Sequence, residues 1–446
     1  MNRLVKQGFP PVPERPVRPG ATRLRPPGSG EASGWTAAVL LTERWLAAGA
    51  RADTLLEGLG TGLPVLERAR AQHLFYGVVR WHGRLDAALG GLMIRPPRTK
   101  VLAVLFTAGF EILEGKSEPA QVVHHAVEKA KTVASPKEAG LVNAVARKLA
   151  YRLAEKPATA AIEFSHPAWL VARWEKQLGA DATRQLLEWN QTPAPVHARW
   201  RKPEQPQPDF LKPTKWPGFF EVPGGHWDEV RKLATEGALY VQDPSTRLSI
   251  ELLAPQANET ILDACAAPGG KSLFIADLMR TGRLVALDLP APAGEPDLRF
   301  DRLKENLNRA PAGVKVALQP ADLLVAGTKF FRDFTLPESY DAVLLDAPCS
   351  NTGVMRHRVD VKWRLQEGDF AQHARQQLAL LKAAARLVRD GGRLVYSTCS
   401  IDPEENEQVA RRFAGELHGW KLERHAQAHP WTDGHDGAAA FLFIRR

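Results

Sequence analysis

From Val241 to the C-terminus, short apolar runs alternate with amphipathic stretches, and this alternation constrains the fold more than any other feature of the 446 residues. ETILDACAAPGG, RLVALDL, VKVALQPAD, YDAVLLDAPCS and GRLVYSTCS read as strands, with KSLFIADLMR, DRLKENLNRA and FAQHARQQLALLKAAARLV as the helices between them. Strands joined through helices pair in parallel, bury both faces of their sheet, and bind ligands beyond their carboxyl ends. We therefore expect a doubly wound α/β domain over residues 241–446.

The chain is longer than one core usually organises, so further domains are expected. From Trp35 to about Glu155, apolar residues recur at spacings of three and four, with Pro96-Pro97, Glu118-Pro119 and Ser135-Pro136 as punctuation. That pattern predicts an all-α bundle over 35–155. Residues 160–240 are dense in Pro and Trp and predict a small linking α+β subdomain. There Arg199, Trp200, Arg201, Lys202, Lys212, Lys215 and Trp216 suit phosphate contact with base stacking, and a small packing subdomain whose tryptophans are simply core is the alternative. Residues 1–34, rich in Pro, Arg and Gly, read as a disordered basic tail.

Fifty-nine Lys and Arg against 50 Asp and Glu leave a formal charge of +9, which suits an anionic partner such as nucleic acid. Three cysteines do not make a disulfide framework, and no metal-ligand spacing stands out. The first residues lack a signal-peptide core, and no apolar run reaches the roughly 18 residues of a membrane span. These features predict a cytoplasmic protein without membrane or metal.

The first strand of the α/β region runs into Asp263-Ala264-Cys265-Ala266-Ala267-Pro268-Gly269-Gly270-Lys271, where small residues let a ligand approach the backbone ahead of a helix. A phosphate loop would need glycine where Cys265 stands. Asp288 ends the next strand, placed to accept hydrogen bonds from the ribose hydroxyls of an adenosine cofactor, although a helix cap would read the same. That geometry alone does not separate NAD from S-adenosylmethionine. Asp322 follows the third strand, as a candidate acceptor for an adenine amine or as a turn aspartate.

Asp346-Ala347-Pro348-Cys349-Ser350 and Ser397-Thr398-Cys399-Ser400 follow two further strands, so two thiols and a carboxylate share the carboxyl edge of the sheet. Such a thiol has a use: adding to carbon 6 of cytosine makes carbon 5 nucleophilic enough to take a methyl group from a sulfonium. Asp346 is the candidate for stabilising charge at ring nitrogen 3. Position alone does not rank the two cysteines.

DACAAPGGKS, VALDL, LLDAPCSNTGV, DVKWR, LVYSTCSIDPEENE and, upstream, LFYGVVRW and GLVNAVARKL together resemble the Fmu/Sun (RsmB-like) family of bacterial 16S ribosomal RNA cytosine-C5 methyltransferases. The resemblance implies a NusB-like RNA-binding bundle followed by a Rossmann-like methyltransferase domain that uses S-adenosylmethionine on ribosomal RNA or an assembling small subunit. It also implies a cofactor site of Cys265, Ala266, Ala267, Pro268, Gly269, Gly270, Lys271, Asp288, Asp322 and Asp346, with Cys399 as nucleophile and Cys349 in product release. Asn351 stands where that family usually has Gly or another small residue, and the stretch after Asp288 is longer than usual. A DNA cytosine methyltransferase, a non-catalytic RNA-binding factor and a nicotinamide dehydrogenase are the alternatives. The second cysteine and the helical bundle speak against the first, the retained cysteines, acids and Lys271 against the second, and the two thiols against the third.

Overall fold

A computed structural model describes residues 33–59, 62–292, 294–295, 297–326 and 328–446, so all but the last two residues of the expected tail lie outside the described residues. The chain divides into two compact units: residues up to Thr192 together with Arg358–Arg364, and Pro193–His357 together with Leu365–Arg446. The stretch 160–240 is thus shared between the units. Among the described residues, no helix is long and apolar enough to cross a membrane.

The first unit is helical: α1 (Gly34–Ala48), α2 (Ala52–Glu57), α3 (Val65–Leu89), α4 (Thr99–Glu114), α5 (Pro119–Val133), α6 (Pro136–Ala154), α7 (Ala160–Glu163), α8 (Ala168–Leu178) and α9 (Ala180–Gln191). Local chemistry sets the boundaries. Ser33 caps α1 by accepting from the Thr36 N–H, and Pro119 and Pro136 open their helices at a position where the missing N–H costs nothing. Ser135 caps α6 by accepting from the Glu138 N–H, and its hydroxyl donates to the Glu138 carboxylate at 2.6 Å. Helix α4 is buried along most of its length and forms the centre around which Trp35, Val78, Val142 and Leu149 pack. A second apolar cluster joins Leu41, Trp45, Phe75 and Val79 to Val359 from the returning segment. In that segment Trp363 donates its indole N–H to the Val79 carbonyl at 2.7 Å, and Lys362 donates to the Arg80 carbonyl at 2.9 Å.

The second unit begins with β1 (Val196–Trp200), β2 (Lys212–Pro213), β3 (Phe219–Val222), α10 (Trp227–Thr235) and β4 (Leu239–Val241). These strands form an antiparallel sheet in the order β2-β3-β1-β4. Then follow α11 (Arg247–Leu253), β5 (Thr260–Asp263), α12 (Gly270–Met279), β6 (Gly282–Asp288), α13 (Leu298–Leu307), β7 (Val314–Pro320), α14 (Thr328–Asp333) and β8 (Tyr340–Asp346). After α15 (Val361–Arg364), in the helical unit, the chain resumes with α16 (Asp369–Ala385), β9 (Val388–Thr398), α17 (Glu407–Glu416), β10 (Trp420–Ala428), α18 (Pro430–Asp433) and β11 (Ala438–Arg445).

The large sheet runs β10-β11-β9-β8-β5-β6-β7. Its β5 to β9 strands pair in parallel, as strand-helix alternation requires, and β11 adds antiparallel to β9 with β10 outside it. Apolar side chains fill both faces of β8 and β5, where Val343 and Leu345 point to one core and Ala342 and Leu344 to the other. The strand order reverses between β5 and β8, the place where a doubly wound sheet opens a ligand crevice.

Candidate active site

The turn after β5 is shaped for close approach. Gly269 sits at φ +102, where a side chain is strained, and a Cβ there would also lie 3.0 Å from Leu303. Helix α12 then starts at Gly270 and presents Lys271 in its first turn. A cleft of about 210 Å³ is lined by this turn (Cys265 to Pro268, Gly270, Lys271), by Asp263 and Asp346 at strand ends, and by Tyr240, Val241, Gln242 and Thr246.

Asp263 is fully buried and takes the Ser272 hydroxyl at 2.6 Å on one oxygen, while Oδ1 has no hydrogen-bond partner among the described residues. Burial pushes its carboxyl up to about 7, opposed by the Ser272 hydrogen bond and assisted by the charge of Asp346. The folded protein therefore holds this proton more tightly than the unfolded chain, whose carboxyl titrates near about 3.9. The associated stability is complete below about pH 4 and is lost as the pH rises through about 7. The urea midpoint of the unliganded protein should thus fall more steeply between about pH 4 and pH 7 than that of Asp263→Asn. Parallel profiles would show that this carboxyl gives up its proton as readily in the folded state as in the unfolded chain.

Asp288 accepts the Ala267 N–H at 2.6 Å and faces Arg299 at 3.3 Å, so one of its tasks is to hold the turn. Burial raises its pKa, against the pull of the Ala267 hydrogen bond. Cys265 is raised as well, by burial and by the charge of Asp288. Asp322 closes a turn, taking the Leu324 N–H at 2.9 Å; neither it nor Asp288 lines the cleft.

Strands β8 and β9 pair in parallel with Asp346 opposite Ser397, and this register brings the two following loops together. The Cys349 and Cys399 sulfurs lie 3.2 Å apart. Beside them, Asp346 binds the Lys271 ammonium at 2.6 Å on one oxygen and the Ser397 hydroxyl at 2.8 Å on the other. Burial opposes the charge on Lys271, but Asp346 outweighs it and lifts the ammonium above its ordinary range. The hydrogen bond to Cys399, together with burial, pushes the Cys349 thiol well up. Cys399 is the more exposed of the two.

Asn351 adopts φ +62, a left-handed conformation that Asn tolerates better than most residues, which accounts for Asn in a position that suits Gly. Its amide bridges the pair, donating to the Cys349 carbonyl at 2.8 Å and accepting from the Cys399 thiol at 3.3 Å. Gly353 passes so close to two other loops that a Cβ would lie 2.7 Å from the carbonyl oxygens of both Cys399 and Gly437. Asp243, His357 and Asp436 bring ligand-type atoms within 4.8 Å of one another. His357 faces Asp436 at 3.0 Å, and Asp243 takes the N–H groups of Ser245 and Asp436.

The residues from Cys265 to Lys271, apart from Gly269, therefore meet Asp346 in one cleft, and the two cysteines lie beside it. Sequence reasoning missed Tyr240, Gln242 and Thr246, because the short strand β4 and the turn after it have no readable period. It also missed Arg199 and Arg201 as structural groups: both are buried on Asp277 at 2.8 and 2.7 Å, which favours packing over phosphate contact for these two.

Residues 250–436 match the family model described as 16S rRNA methyltransferase RsmB/F, and residues 42–151 match the NusB family. The ribosomal RNA small subunit methyltransferase B of Yersinia enterocolitica is 30% identical over 84% of this chain and 86% of its own length. The protein of that name from Vibrio cholerae is 32% identical over 78% and 81%. Among solved structures, PH0851 superposes with a TM-score of 0.73 at 23% identity, over 93% of this chain and 99% of that one. NSun6 from Pyrococcus horikoshii with SFG does so with 0.52 at 19%, over 63% and 98%. These two share the fold. Identity at this level over most of both lengths, with the two family matches in the same order as the helical bundle and the Rossmann-like sheet, shows that the chain belongs to the RsmB/F family of 16S rRNA methyltransferases.

Proposed function

We propose that this chain methylates carbon 5 of a cytosine in 16S ribosomal RNA, free or within an assembling small subunit, with S-adenosylmethionine as donor and Cys399 as covalent nucleophile. The observation that carries this reading is the thiol pair, 3.2 Å apart beside the Lys271–Asp346 ion pair.

The residues fit the cofactor. The cleft offers a glycine turn, the unpartnered Oδ1 of Asp263 and the aromatic ring of Tyr240, and Asp288 stands behind the turn with lone pairs beyond the one given to Ala267. When bound, S-adenosylmethionine supplies an electrophilic methyl group. Asp288→Ala should weaken its binding by about 1–3 kcal/mol, since the variant loses both a ribose acceptor and the hydrogen bond that shapes the turn. Calorimetry reads this directly, and an unchanged Kd would restrict Asp288 to another task. Asp322, bound to its own turn, is the cofactor-site candidate with least support from the geometry.

Toward the base, the chain's groups divide the work. The Cys399 sulfur adds to carbon 6, which leaves carbon 5 as an enamine-like nucleophile and negative charge at ring nitrogen 3. Asp346 assists there through Lys271, whose ammonium it keeps charged and oriented with donors to spare. Once carbon 5 carries the methyl group, its proton must leave and the Cys399–carbon 6 bond must break. The carbon 5 proton passes to solvent, its electron pair expels the sulfur, and Cys349, held as a neutral thiol against Cys399, is placed to give the departing thiolate its proton.

The test is methyl transfer from labelled S-adenosylmethionine to deproteinised 16S RNA and, separately, to small subunits. Bisulfite sequencing should locate one protected cytosine. Label recovered on another base or atom would overturn the reading, and the arm that reacts identifies the form of the substrate.

A further inference from the structure

The residues that follow the two cysteines, Ser350 and Ser400, share one buried partner. Glu405 is fully buried. Its Oε2 accepts the Ser350 backbone N–H at 2.9 Å and the Gln377 amide at 2.9 Å. Its Oε1 accepts the Ser400 hydroxyl at 2.7 Å and the Ser350 hydroxyl. All four of these donors are neutral, and together they fill the roughly four acceptor positions a carboxylate offers. Gln377, itself fully buried on α16, also donates to the Pro348 carbonyl at 3.0 Å, on the other side of Cys349. The Glu405 backbone is fixed in turn, its carbonyl accepting the Tyr396 hydroxyl from β9.

Sheet pairing does not do this job. The β8–β9 ladder ends at Asp346 opposite Ser397, three residues short of Cys349 and two short of Cys399. Beyond it two backbone bonds remain, from the Ala347 N–H to the Ser397 carbonyl and from the Gly353 N–H to the Cys399 carbonyl, both at 2.9 Å, and the rest of the join is made by side chains. Thr352 donates to Asp402 at 2.6 Å and accepts the Ile401 N–H at 3.1 Å, which adds to the clamp. Glu405 is the carboxylate that takes hydrogen bonds from the residue next to each thiol, and the Thr352 hydroxyl lies between the same two serines, 3.3 Å from Ser350 Oγ and 3.1 Å from Ser400 Oγ.

We propose that Glu405 is a positioning residue for methyl transfer: by binding Ser350 and Ser400 it sets the spacing of the Cys349 and Cys399 thiols without touching substrate. This rests on the reading of those cysteines as the reacting pair. A glutamine at 405 would keep the volume and one acceptor oxygen. Its amide oxygen must face the Ser350 N–H and Gln377, which leaves its NH₂ toward two hydroxyls that need new acceptors. One half of the clamp survives and the other slackens.

The experiment compares Glu405→Gln, Ser400→Ala and Cys399→Ala as full-length proteins on 16S RNA. Glu405→Gln should lower kcat by roughly 10²-fold, the scale expected when a reacting group is displaced by about 1 Å. The KM for S-adenosylmethionine should stay within about twofold, because the cleft residues are untouched. The readout specific to thiol spacing is capture by phenylarsine oxide, which bridges two neighbouring thiols. The parent protein should form a one-to-one complex that shields both cysteines from alkylation, and Glu405→Gln should form it more slowly. Ser400→Ala, which removes one neutral hydroxyl that donates to Glu405 and accepts the Asp402 N–H, leaves no charge unpaired and so is the safer variant for folding; it should show the same change to a smaller degree. If Glu405→Gln does not fold, Ser400→Ala decides. Unchanged kcat and unchanged arsenical capture in the folded variants, with Cys399→Ala inactive, would overturn the proposal. Full activity of Cys399→Ala would instead overturn the reading on which it rests.

Discussion

Cys399→Ala should lose methyl transfer, with kcat reduced by at least about 10³-fold, and still bind S-adenosylmethionine. The loss is large because carbon 5 of cytosine does not attack a methyl sulfonium until a nucleophile has added to carbon 6, so no other group replaces the sulfur. Cofactor binding survives because the cleft is built from the Cys265–Lys271 turn, Asp263, Tyr240 and Gln242 rather than from that thiol. Cys349→Ala should behave differently. On the proposed roles it retains the attacking sulfur and loses the neutral thiol that serves release, so a protein–RNA adduct resistant to denaturant should accumulate. Gel electrophoresis after incubation with target RNA and S-adenosylmethionine separates the outcomes. An adduct from Cys399→Ala and none from Cys349→Ala would reverse the assignment, and full activity in both variants would rule out covalent catalysis by cysteine.

The second large effect concerns stability. Asp277, on α12, takes Arg199 at 2.8 Å and Arg201 at 2.8 and 2.7 Å, with all three side chains nearly buried. Arg199 also lies 4.0 Å over the Phe274 ring and donates to Gln242. Burial already lowers the Arg199 pKa, with the Asp277 charge acting against that fall. Asp277→Ala leaves two guanidinium groups together in the interior without their carboxylate. Removing one partner of a buried ion pair costs about 3–5 kcal/mol, so unfolding in urea should begin at a much lower concentration. Because Gln242 lines the cleft and is held by Arg199, cofactor affinity should fall too. A loss under about 1 kcal/mol would place this cluster in the class of weakly contributing surface pairs.

How much of this was legible follows from the kind of signal each residue leaves. The strands β5 to β9 announce themselves because helices between parallel strands force an alternating texture, and Asp346, Cys349 and Cys399 are found by their position at strand ends. Pro119 and Pro136 mark helix starts for a local reason, the missing N–H. The antiparallel placement of β10 and β11 depends on which edge a hairpin joins, and residues 420–445 carry no mark of it. Tyr240 and Gln242 come to the cleft through the small sheet, whose Pro- and Trp-rich stretch shows no periodicity. Arg199 and Arg201 have the look of surface cations in a basic run, and only the burial of Asp277 beside them shows otherwise. Glu405 lies in a string of acidic residues, PEENE, in which nothing distinguishes the buried one from its neighbours.

The helical unit is not contiguous in the chain, and this bears on the order in which the protein can be completed as it leaves the ribosome. Val359 belongs to the apolar cluster of Leu41, Trp45, Phe75 and Val79, and the Trp363 indole binds the Val79 carbonyl. These partners are translated after the whole first part of the sheet domain. At about 5–20 residues per second, the roughly 170 residues from Thr192 to Arg364 occupy roughly 10–30 s of synthesis. Throughout that interval the bundle around α4 can form, while the second cluster lacks the Val359 side chain and the Trp363 ring that complete it. Translation of Val359 and of DVKWR supplies both.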